Sequence, residues 1–145
     1  MFTVRLVGSP LAHAGFVQIR HYGRWGSFCD WSWGLTQGDV VCRELGYSRA
    51  LFTTFGELFQ QQSGYIWVEE AQCTGNESSI FRCDLTYIRD NDEVWGCDHS
   101  HEGGVICESS EKPGLNSTYS QQQMRGARFI LCFCKSNVVT TVIET

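Results

Sequence analysis

The sequence lacks a hydrophobic segment that could cross a membrane. No stretch of the 145 residues approaches the roughly eighteen apolar residues that a membrane-spanning helix needs, and Phe129-Ile-Leu-Cys-Phe133 is far too short. The amino terminus, Met1-Phe-Thr, also lacks the basic start and apolar core of a secretory signal peptide. We therefore expect no membrane insertion by this segment and no signal peptide in this chain.

The motifs of common enzymes and of zinc sites are also missing. The sequence contains no GxSxG, no HExxH and no phosphate-binding loop, so no nucleophile, base or catalytic metal is indicated. It contains no CxxC pair, which is the usual spacing of a structural zinc site. We therefore expect that the protein is not an enzyme and has no catalytic residues.

Positive charge is scarce in the first three quarters of the chain. Residues 1–108 contain seven arginines and no lysine, against fourteen aspartates and glutamates, whereas residues 109–145 carry a net charge of +2. A surface with this excess of carboxylates repels nucleic acid and bare polyanions unless a cation intervenes. Nucleic acid is therefore not an expected partner.

Cysteine is the residue that the sequence does use heavily. Six of the eight cysteines are spread through residues 1–108, each in its own small motif. An even set without metal-site spacing indicates disulfides, and disulfides indicate an oxidising, extracellular compartment. Because no signal peptide is present, we interpret the chain as an excised domain, a fragment or an incomplete gene model. Cys132 and Cys134 lie outside the set and are interpreted as leftover thiols or as an intermolecular bond in a parent receptor.

The composition divides the chain into a domain at residues 4–108 and a tail at residues 109–145. The polar, breaker-rich residues 109–123 indicate a linker, and we expect the tail to be poorly ordered or to be the stub of a neighbouring domain. Val138-Val-Thr-Thr-Val-Ile143 has strand propensity but no evident partner.

Within the domain the pattern predicts an α+β fold. Val17-Gln-Ile-Arg-His21 alternates as a half-buried strand does, and the next residues predict a tight turn into a second strand that ends at Cys29. A helix is predicted from Thr36, as its amino-terminal cap, to Leu45, with Gly46 as the stop. Short strands are predicted at residues 65–68 and 105–107. The expected domain is a small, disulfide-stapled, curved antiparallel sheet packed on one main α-helix.

Several motifs in order resemble one family, the scavenger receptor cysteine-rich domain. They are WGSFCD from Trp25, DVVCRELGY from Asp39, CTGNES from Cys73, the Cys97-x-His99 step and the GGVIC ending at Cys107. The resemblance covers residues 4–108. Residues near Ala12 and His13, and Tyr47, stand where an eight-cysteine group has its extra pair, so the chain resembles the six-cysteine group. The resemblance implies the disulfides Cys29–Cys97, Cys42–Cys107 and Cys73–Cys83.

The resemblance also implies a calcium cluster, which this sequence keeps only in part. The family's Asp-Asp pair appears as Asp30-Trp31, and its Glu-Asp pair appears as His101-Glu102. Calcium needs six to eight oxygen ligands, so the loss of two carboxylates weakens the site. We expect Asp30 and Glu102 to form a reduced site, and Glu69 to belong to a second cation site. Calcium is the only cofactor expected, and ordinary surface charge is the alternative.

Other residues are candidates for contact with a ligand. Trp31 stands in place of a carboxylate and is expected to be exposed, either as a contact residue or as part of the packing. The cationic candidates for binding anionic groups are Arg43, Arg49, Arg82 and Arg89, with scattered ion pairs as the alternative. The acid-rich residues 84–93 are expected to form a solvated loop. Asn76 and Asn116 begin N-glycosylation sequons.

These features predict an extracellular binding module rather than an enzyme. The first hypothesis is a scavenger or pattern-recognition module that binds polyanionic or microbial surface ligands, with calcium assisting. The second is a protein–protein adhesion module without a working cation site, and a third is a structural spacer. The parent protein is expected to be multidomain or oligomeric, since avidity can make weak single domains effective.

Overall fold

The computed structural model describes residues 3–56, 58–89 and 96–109 in full, and the backbone of three strands within residues 118–144. The described part of the domain is an α+β fold with a curved, mostly antiparallel sheet and one α-helix, as predicted. Its elements are β1 (Val4–Val7), β2 (Ala14–His21), β3 (Arg24–Phe28), α1 (Leu35–Glu44), β4 (Ala50–Thr54), β5 (Tyr65–Gln72), β6 (Asp84–Tyr87) and β7 (Gly104–Cys107). None of the described helices is both long and apolar enough to span a bilayer.

The sheet has the strand order β4-β7-β2-β3-β5-β6, and β1 also pairs with β2. Strand β2 pairs with β7 through its first residues and with β3 through its last ones, so one long strand connects both halves of the sheet. One pair departs from the predicted antiparallel arrangement, because β3 and β5 are parallel, with Gly26 opposite Tyr65. The long connection between them contains α1 and β4, which is the length of chain that a parallel pair requires.

The predicted turn between the first two long strands is confirmed. Only Tyr22 and Gly23 separate β2 from β3, and both have positive φ angles, of 48° and 74°. Two successive left-handed residues are typical of a type I′ turn, whose twist matches that of the flanking strands. The hairpin therefore presents Tyr22 at its tip, where its side chain is 87% exposed.

The helix is found where it was predicted, but its amino-terminal cap is different. α1 begins at Leu35, and Gly34 is the cap residue, so the prediction that Thr36 caps the helix is wrong. The side chain of Gln37 folds back so that its Oε1 accepts a hydrogen bond from Gly34 N at 3.1 Å. This bond is the half of a capping box in which the side chain at the third helical position satisfies the backbone amide of the cap residue. At the other end Gly46 has a φ of 96°, which confirms it as the stop.

The core lies between α1 and the sheet. Helix residues Val40, Val41 and Cys42 pack against strand residues such as Val105 and Cys107, all of them fully buried. A second apolar cluster, around Phe16, Phe52 and Ile106, lies among β2, β4 and β7. Strand β7 contributes to both clusters and is buried along its whole length.

Three disulfides connect these elements, and they are the pairs that the resemblance implies. Cys29–Cys97 and Cys42–Cys107 join residues 68 and 65 positions apart, with Cα–Cα distances of 5.8 and 5.6 Å. Cys73–Cys83 closes a short loop of 10 positions with a Cα–Cα distance of 4.7 Å. The two long-range bonds thus fix α1 to β7 and the end of β3 to the segment before β7.

The backbone of the tail forms a separate antiparallel sheet with the strand order β10-β9-β8. Its strands are β8 (Thr118–Met124), β9 (Ala127–Cys134) and β10 (Asn137–Glu144). The sequence with strand propensity at residues 138–143 lies in β10 and has β9 as its partner, which the sequence did not reveal. Residues 118–123 of the predicted linker lie in β8, whereas residues 110–117 lie outside the described residues. The poor order expected of the tail stays a prediction.

Removal of the Cys42–Cys107 disulfide in the variant C42A/C107A is expected to lower the free energy of unfolding by about 4 kcal/mol, because this bond closes a long loop. The variant C73A/C83A removes the bond that closes a short loop, so its free energy of unfolding should fall by about 3 kcal/mol on the same chain-entropy estimate. Urea unfolding of the oxidised chains, followed by tryptophan fluorescence, measures both losses. A loss for C73A/C83A as large as that for C42A/C107A would contradict the loop-length argument.

Candidate functional site

The first candidate site is the corner where the end of β3 meets the segment before β7. Cys29 and Glu102 form an isolated antiparallel bridge, and Asp30 N donates to His101 O at 2.9 Å. The Cys29–Cys97 disulfide holds the chain just before His99 against the same strand end. The structure thus pairs the backbone of Asp30 with that of His101 and the backbone of Cys29 with that of Glu102, so two of the residues that the sequence predicted as cation ligands lie in the same corner. We call the side chains of Asp30, His99, His101 and Glu102 the carboxylate corner.

Glu102 is fully buried and only half of its carboxylate is used. Its Oε1 lies 2.6 Å from His99 Nδ1, and the other ring nitrogen of His99 lies 3.0 Å from Gly64 O. Because a carbonyl only accepts hydrogen bonds, His99 Nε2 carries a proton. Glu102 Oε2 has no hydrogen-bond partner in the described part of the chain. A buried carboxylate oxygen of this kind is where water or a cation is expected.

Asp30 lies at the more open side of the corner. Its Oδ2 is 3.6 Å from Nδ1 of His101, whose side chain is half exposed. The neighbouring Trp31 is 46% exposed, which confirms the expectation that it is not a core residue. The Trp31 ring lies near Gly96, where an added Cβ would be 3.6 Å from Cζ2. An exposed indole therefore stands beside the carboxylates.

The third predicted ligand, Glu69, was assigned to a second cation site, and that assignment stays a prediction. Glu69 lies half-buried in β5. The ligand oxygens of Asp30, Glu69 and Glu102 do not all lie within 4.8 Å of one another. Within the described ranges, the one group of three such side chains is Cys73, Glu77 and Cys83, and its two sulfurs are joined in a disulfide.

The four predicted arginines have different environments. Arg43 donates to the carbonyl oxygens of Gly75 and Glu77 at 2.6 and 3.0 Å, so it supports a loop. Arg49 pairs with Glu108 at 3.1 Å. Arg82 is exposed at the end of a 3₁₀ turn, Ile80–Arg82. Arg89 is exposed in a groove that also contains Arg24.

This groove is a second candidate site, which the sequence did not reveal. It has a volume of about 740 Å³ and lies beside the β2–β3 hairpin tip. We call it the hairpin groove, and its lining residues are His21, Tyr22, Arg24, Tyr65, Trp67, Tyr87, Ile88 and Arg89. The residues come from three segments that the sheet brings together, so no local motif marks them. The one available signal was the run of aromatic residues at 65 and 67, which share a face of β5.

The sequon loop before Cys83 is held by Glu77. Its carboxylate accepts hydrogen bonds from Thr74 N at 2.8 Å, from Thr74 Oγ1 at 2.9 Å and from Gly75 N at 2.9 Å. The bond from Thr74 N is the main cause that lowers the pKa of Glu77 to about 2. Asn76 is exposed in this loop, whereas Asn116 lies outside the described residues. Of the acid-rich residues predicted as a loop, 84–87 form strand β6 instead, and 90–93 lie outside the described residues.

The lowered pKa of Glu77 predicts how stability changes with pH. The charged carboxylate stabilises the folded state above the ordinary pKa of 4.5, and this contribution is lost as the pH falls from about 4.5 to about 2. We expect E77Q to be less stable than the parent at pH 7 and the difference to shrink over that range. Urea unfolding between pH 2 and 7 tests this, with E70Q as a control of equal charge. A difference that is constant with pH would be incompatible with the proposed hydrogen bonds.

Comparison with curated sequences identifies relatives of the domain. The profile of the scavenger receptor cysteine-rich domain matches residues 7–108. The chain is 44% identical to macrophage scavenger receptor types I and II of Mus musculus over 110 residues, 74% of this chain and 22% of that protein. The chain thus spans about a fifth of the length of this relative.

Two solved structures share the fold. The third SRCR domain of murine neurotrypsin superposes with a TM-score of 0.63 at 32% identity, over 77% of this chain and 100% of that chain. The dimeric form of the SRCR domain of mouse MARCO superposes with a TM-score of 0.55 at 30% identity, over 66% of this chain and 86% of that chain. With the profile match, these similarities show that the chain belongs to the scavenger receptor cysteine-rich domain family.

Proposed function

We propose that this protein is an extracellular ligand-binding module of the scavenger type, which binds polyanionic or microbial surface ligands and is not an enzyme. Family membership and the name of the mouse macrophage scavenger receptor support the ligand-binding class. The three disulfides support an oxidising, extracellular location.

The observation that carries this proposal is the buried carboxylate of Glu102, whose Oε2 has no hydrogen-bond partner among the described residues and which lies in the same corner as Asp30. The domain has an excess of acidic residues, so it needs added positive charge to hold an anionic surface. Asp30 and Glu102 would hold a calcium ion, which when bound supplies that charge. Two carboxylates fit a weak site, since water would have to provide most of the six to eight oxygen ligands. Glu69 is outside this set.

Binding of the oxidised full chain, biotinylated and presented on streptavidin, to bacteria and to a sulfated polymer tests the proposal. With calcium we expect binding, and EDTA should weaken it by about tenfold or more, with recovery when calcium returns. D30N should weaken binding to a similar degree, because it removes one of the two carboxylates.

D84N is the matched control, since Asp84 is an exposed carboxylate on β6, and it should bind as the parent does. Near-UV circular dichroism verifies that both variants are folded. Binding that EDTA does not change would exclude the calcium mechanism, and no binding at all would exclude the scavenger function.

A protein–protein adhesion module is the second candidate, favoured by the exposed apolar side chains. Trp31 is 46% exposed and Phe55 is 58% exposed. A partly exposed tryptophan is a frequent anchor of protein interfaces. The MARCO neighbour is described as a dimeric form, so a second copy of this chain is a reasonable first partner to test.

If the protein is an adhesion module, the unsubstituted chain should self-associate. W31A should raise the dissociation constant of self-association by about tenfold, whereas F55A should raise it less. Sedimentation velocity over a range of concentrations, with EDTA present, measures the association. A parent chain that stays monomeric, or equal effects of W31A and F55A, would argue against an interface centred on Trp31.

Two further features belong to the proposal. The loop position of Asn76 fits an N-linked glycan in a secreted chain. The ring of His13 lies edge-on to that of Tyr47, with centroids 6.4 Å apart. In the family resemblance these positions correspond to the extra cysteine pair of the eight-cysteine group. Because an aromatic contact stands there in place of a disulfide, it supports assignment to the six-cysteine group.

A further inference from the structure

We propose that the hairpin groove is a second ligand site, independent of calcium, that binds a short acidic oligosaccharide carrying sulfate or carboxylate groups. The inference rests on the proposed function in one respect, that the ligands of the domain are anionic. The inference adds the chemical class of the ligand and the position of its binding site. The corner and the groove use different residues, so each can be tested without the other.

The charge of the groove is opposite to that of the domain. Arg24 and Arg89 line it, and the lining residues within the described part of the chain include no aspartate or glutamate. Both arginines are exposed, and neither forms an ion pair with the described carboxylates. A guanidinium group forms paired hydrogen bonds with sulfate or carboxylate, so the groove complements an anion.

The walls of the groove are stacked aromatic rings. Tyr65 and Trp67 are 4.8 Å apart with an angle of 5° between their planes, and His21 and Tyr87 are 4.4 Å apart with an angle of 15°. The His21 ring also meets Trp67 edge-on at 5.2 Å. Stacked pairs hold each other in place, so the groove is a rigid, flat-sided surface.

The sheet beneath is built to accommodate these rings. Trp67 Nε1 donates to Arg24 O at 3.0 Å, which fixes the indole against β3. An added Cβ at Gly26 would lie 2.3 Å from Trp67 Cδ1, so only glycine leaves room for the ring. At the tip, Tyr22 has a φ of 48°, a conformation that costs energy in a residue other than glycine. Strain of this kind is characteristic of functional positions.

The combination of groups favours a sugar over an apolar ligand. Three tyrosine hydroxyls, from Tyr22, Tyr65 and Tyr87, can donate to and accept from sugar hydroxyls. Burial, followed by the nearby Tyr22, raises the pKa of Tyr87, so its hydroxyl remains a donor. Tyr65 is 41% exposed, and the guanidinium of Arg24 lies over its ring, 5.3 Å from the centroid, so a cation and an aromatic ring adjoin in the groove. The volume of about 740 Å³ is within the ordinary range of small-ligand sites.

The test is a titration of the oxidised full chain, in EDTA, with a sulfated uronic-acid disaccharide and with its desulfated, carboxyl-reduced analogue. Tryptophan fluorescence and backbone NMR shifts report binding. We expect saturable binding of the charged sugar and about tenfold weaker binding of the neutral one. NMR shifts should be concentrated at the hairpin groove. The absence of saturable binding to the charged sugar would overturn the proposal.

The variants R24Q, R89Q and Y22N separate a specific groove from diffuse charge. Asparagine tolerates the positive φ of position 22, so Y22N removes the ring and preserves the turn. Each variant should weaken binding by about fivefold or more, whereas R82Q, which removes an exposed arginine outside the groove, should not. Equal losses in R82Q and R24Q would overturn the proposal. Binding of a glutamate-rich peptide at the groove, together with no binding of the sugar, would also overturn the proposal.

The two proposals fail in different ways. Sugar binding in EDTA without calcium-dependent binding to bacteria would sustain the groove and exclude the calcium mechanism. Calcium-dependent binding that D30N abolishes, and that R24Q and Y22N leave unchanged, would sustain the corner and exclude the groove as a site for those ligands.

Discussion

The position of β7 is the constraint on which the rest of the domain depends. The strand is buried along its length between β4 and β2, and Cys42–Cys107 fixes it to α1. A Cβ at Gly104 would lie 2.3 Å from Thr54 Oγ1 and 2.9 Å from the backbone oxygen of Gly15, so only glycine permits this packing. Trp33 Nε1 donates to Gly104 O at 2.8 Å, and its ring covers Gly103. Glu102 comes directly before this fixed segment, so core packing determines where its carboxylate lies.

Much of the fold could be predicted because its signals are local. The strand at residues 17–21, the turn at Tyr22 and Gly23 and the stop at Gly46 depend on near neighbours in the chain, and the structure contains all three. The half-buried alternation predicted for this strand is wrong, because Val17, Gln18 and Ile19 are all buried. The cap at Gly34 was missed because Gln37 supplies the hydrogen bond from inside the helix. The parallel pairing of β3 with β5 was missed because it joins segments far apart in sequence. The disulfide pairs followed from the family resemblance, since spacing alone leaves many pairings open.

The distinction between local and long-range signals also explains why the sequence indicated one candidate site and not the other. Asp30 and Glu102 each lie beside a cysteine motif, so sequence motifs marked the corner before the geometry was known. The hairpin groove is assembled from residues of β2, β3, β5 and β6 that only the sheet brings together. Arg24 and Arg89 are 65 positions apart, and nothing in the sequence indicates that they share a groove. An assignment of anion-binding arginines from sequence therefore included Arg43 and Arg49, which support the loop and a β-strand end instead.

The corner and the groove lie along one strand, and a side chain of the corner, His99, contacts the segment before the groove. Arg24 begins β3 and Asp30 lies two residues beyond its end, about 20 Å away at the spacing of an extended strand. His99 connects the two sites. Its Nδ1 lies 2.6 Å from Glu102 Oε1, and its Nε2 lies 3.0 Å from the carbonyl oxygen of Gly64, the residue directly before Tyr65 of the groove. A cation that took Glu102 Oε1 from His99 would remove one of the two hydrogen bonds that hold the imidazole against Gly64. The groove would still bind its ligand without calcium, but occupancy of the corner would change that affinity, and by thermodynamic linkage a ligand in the groove would change the affinity of the corner for calcium by the same factor.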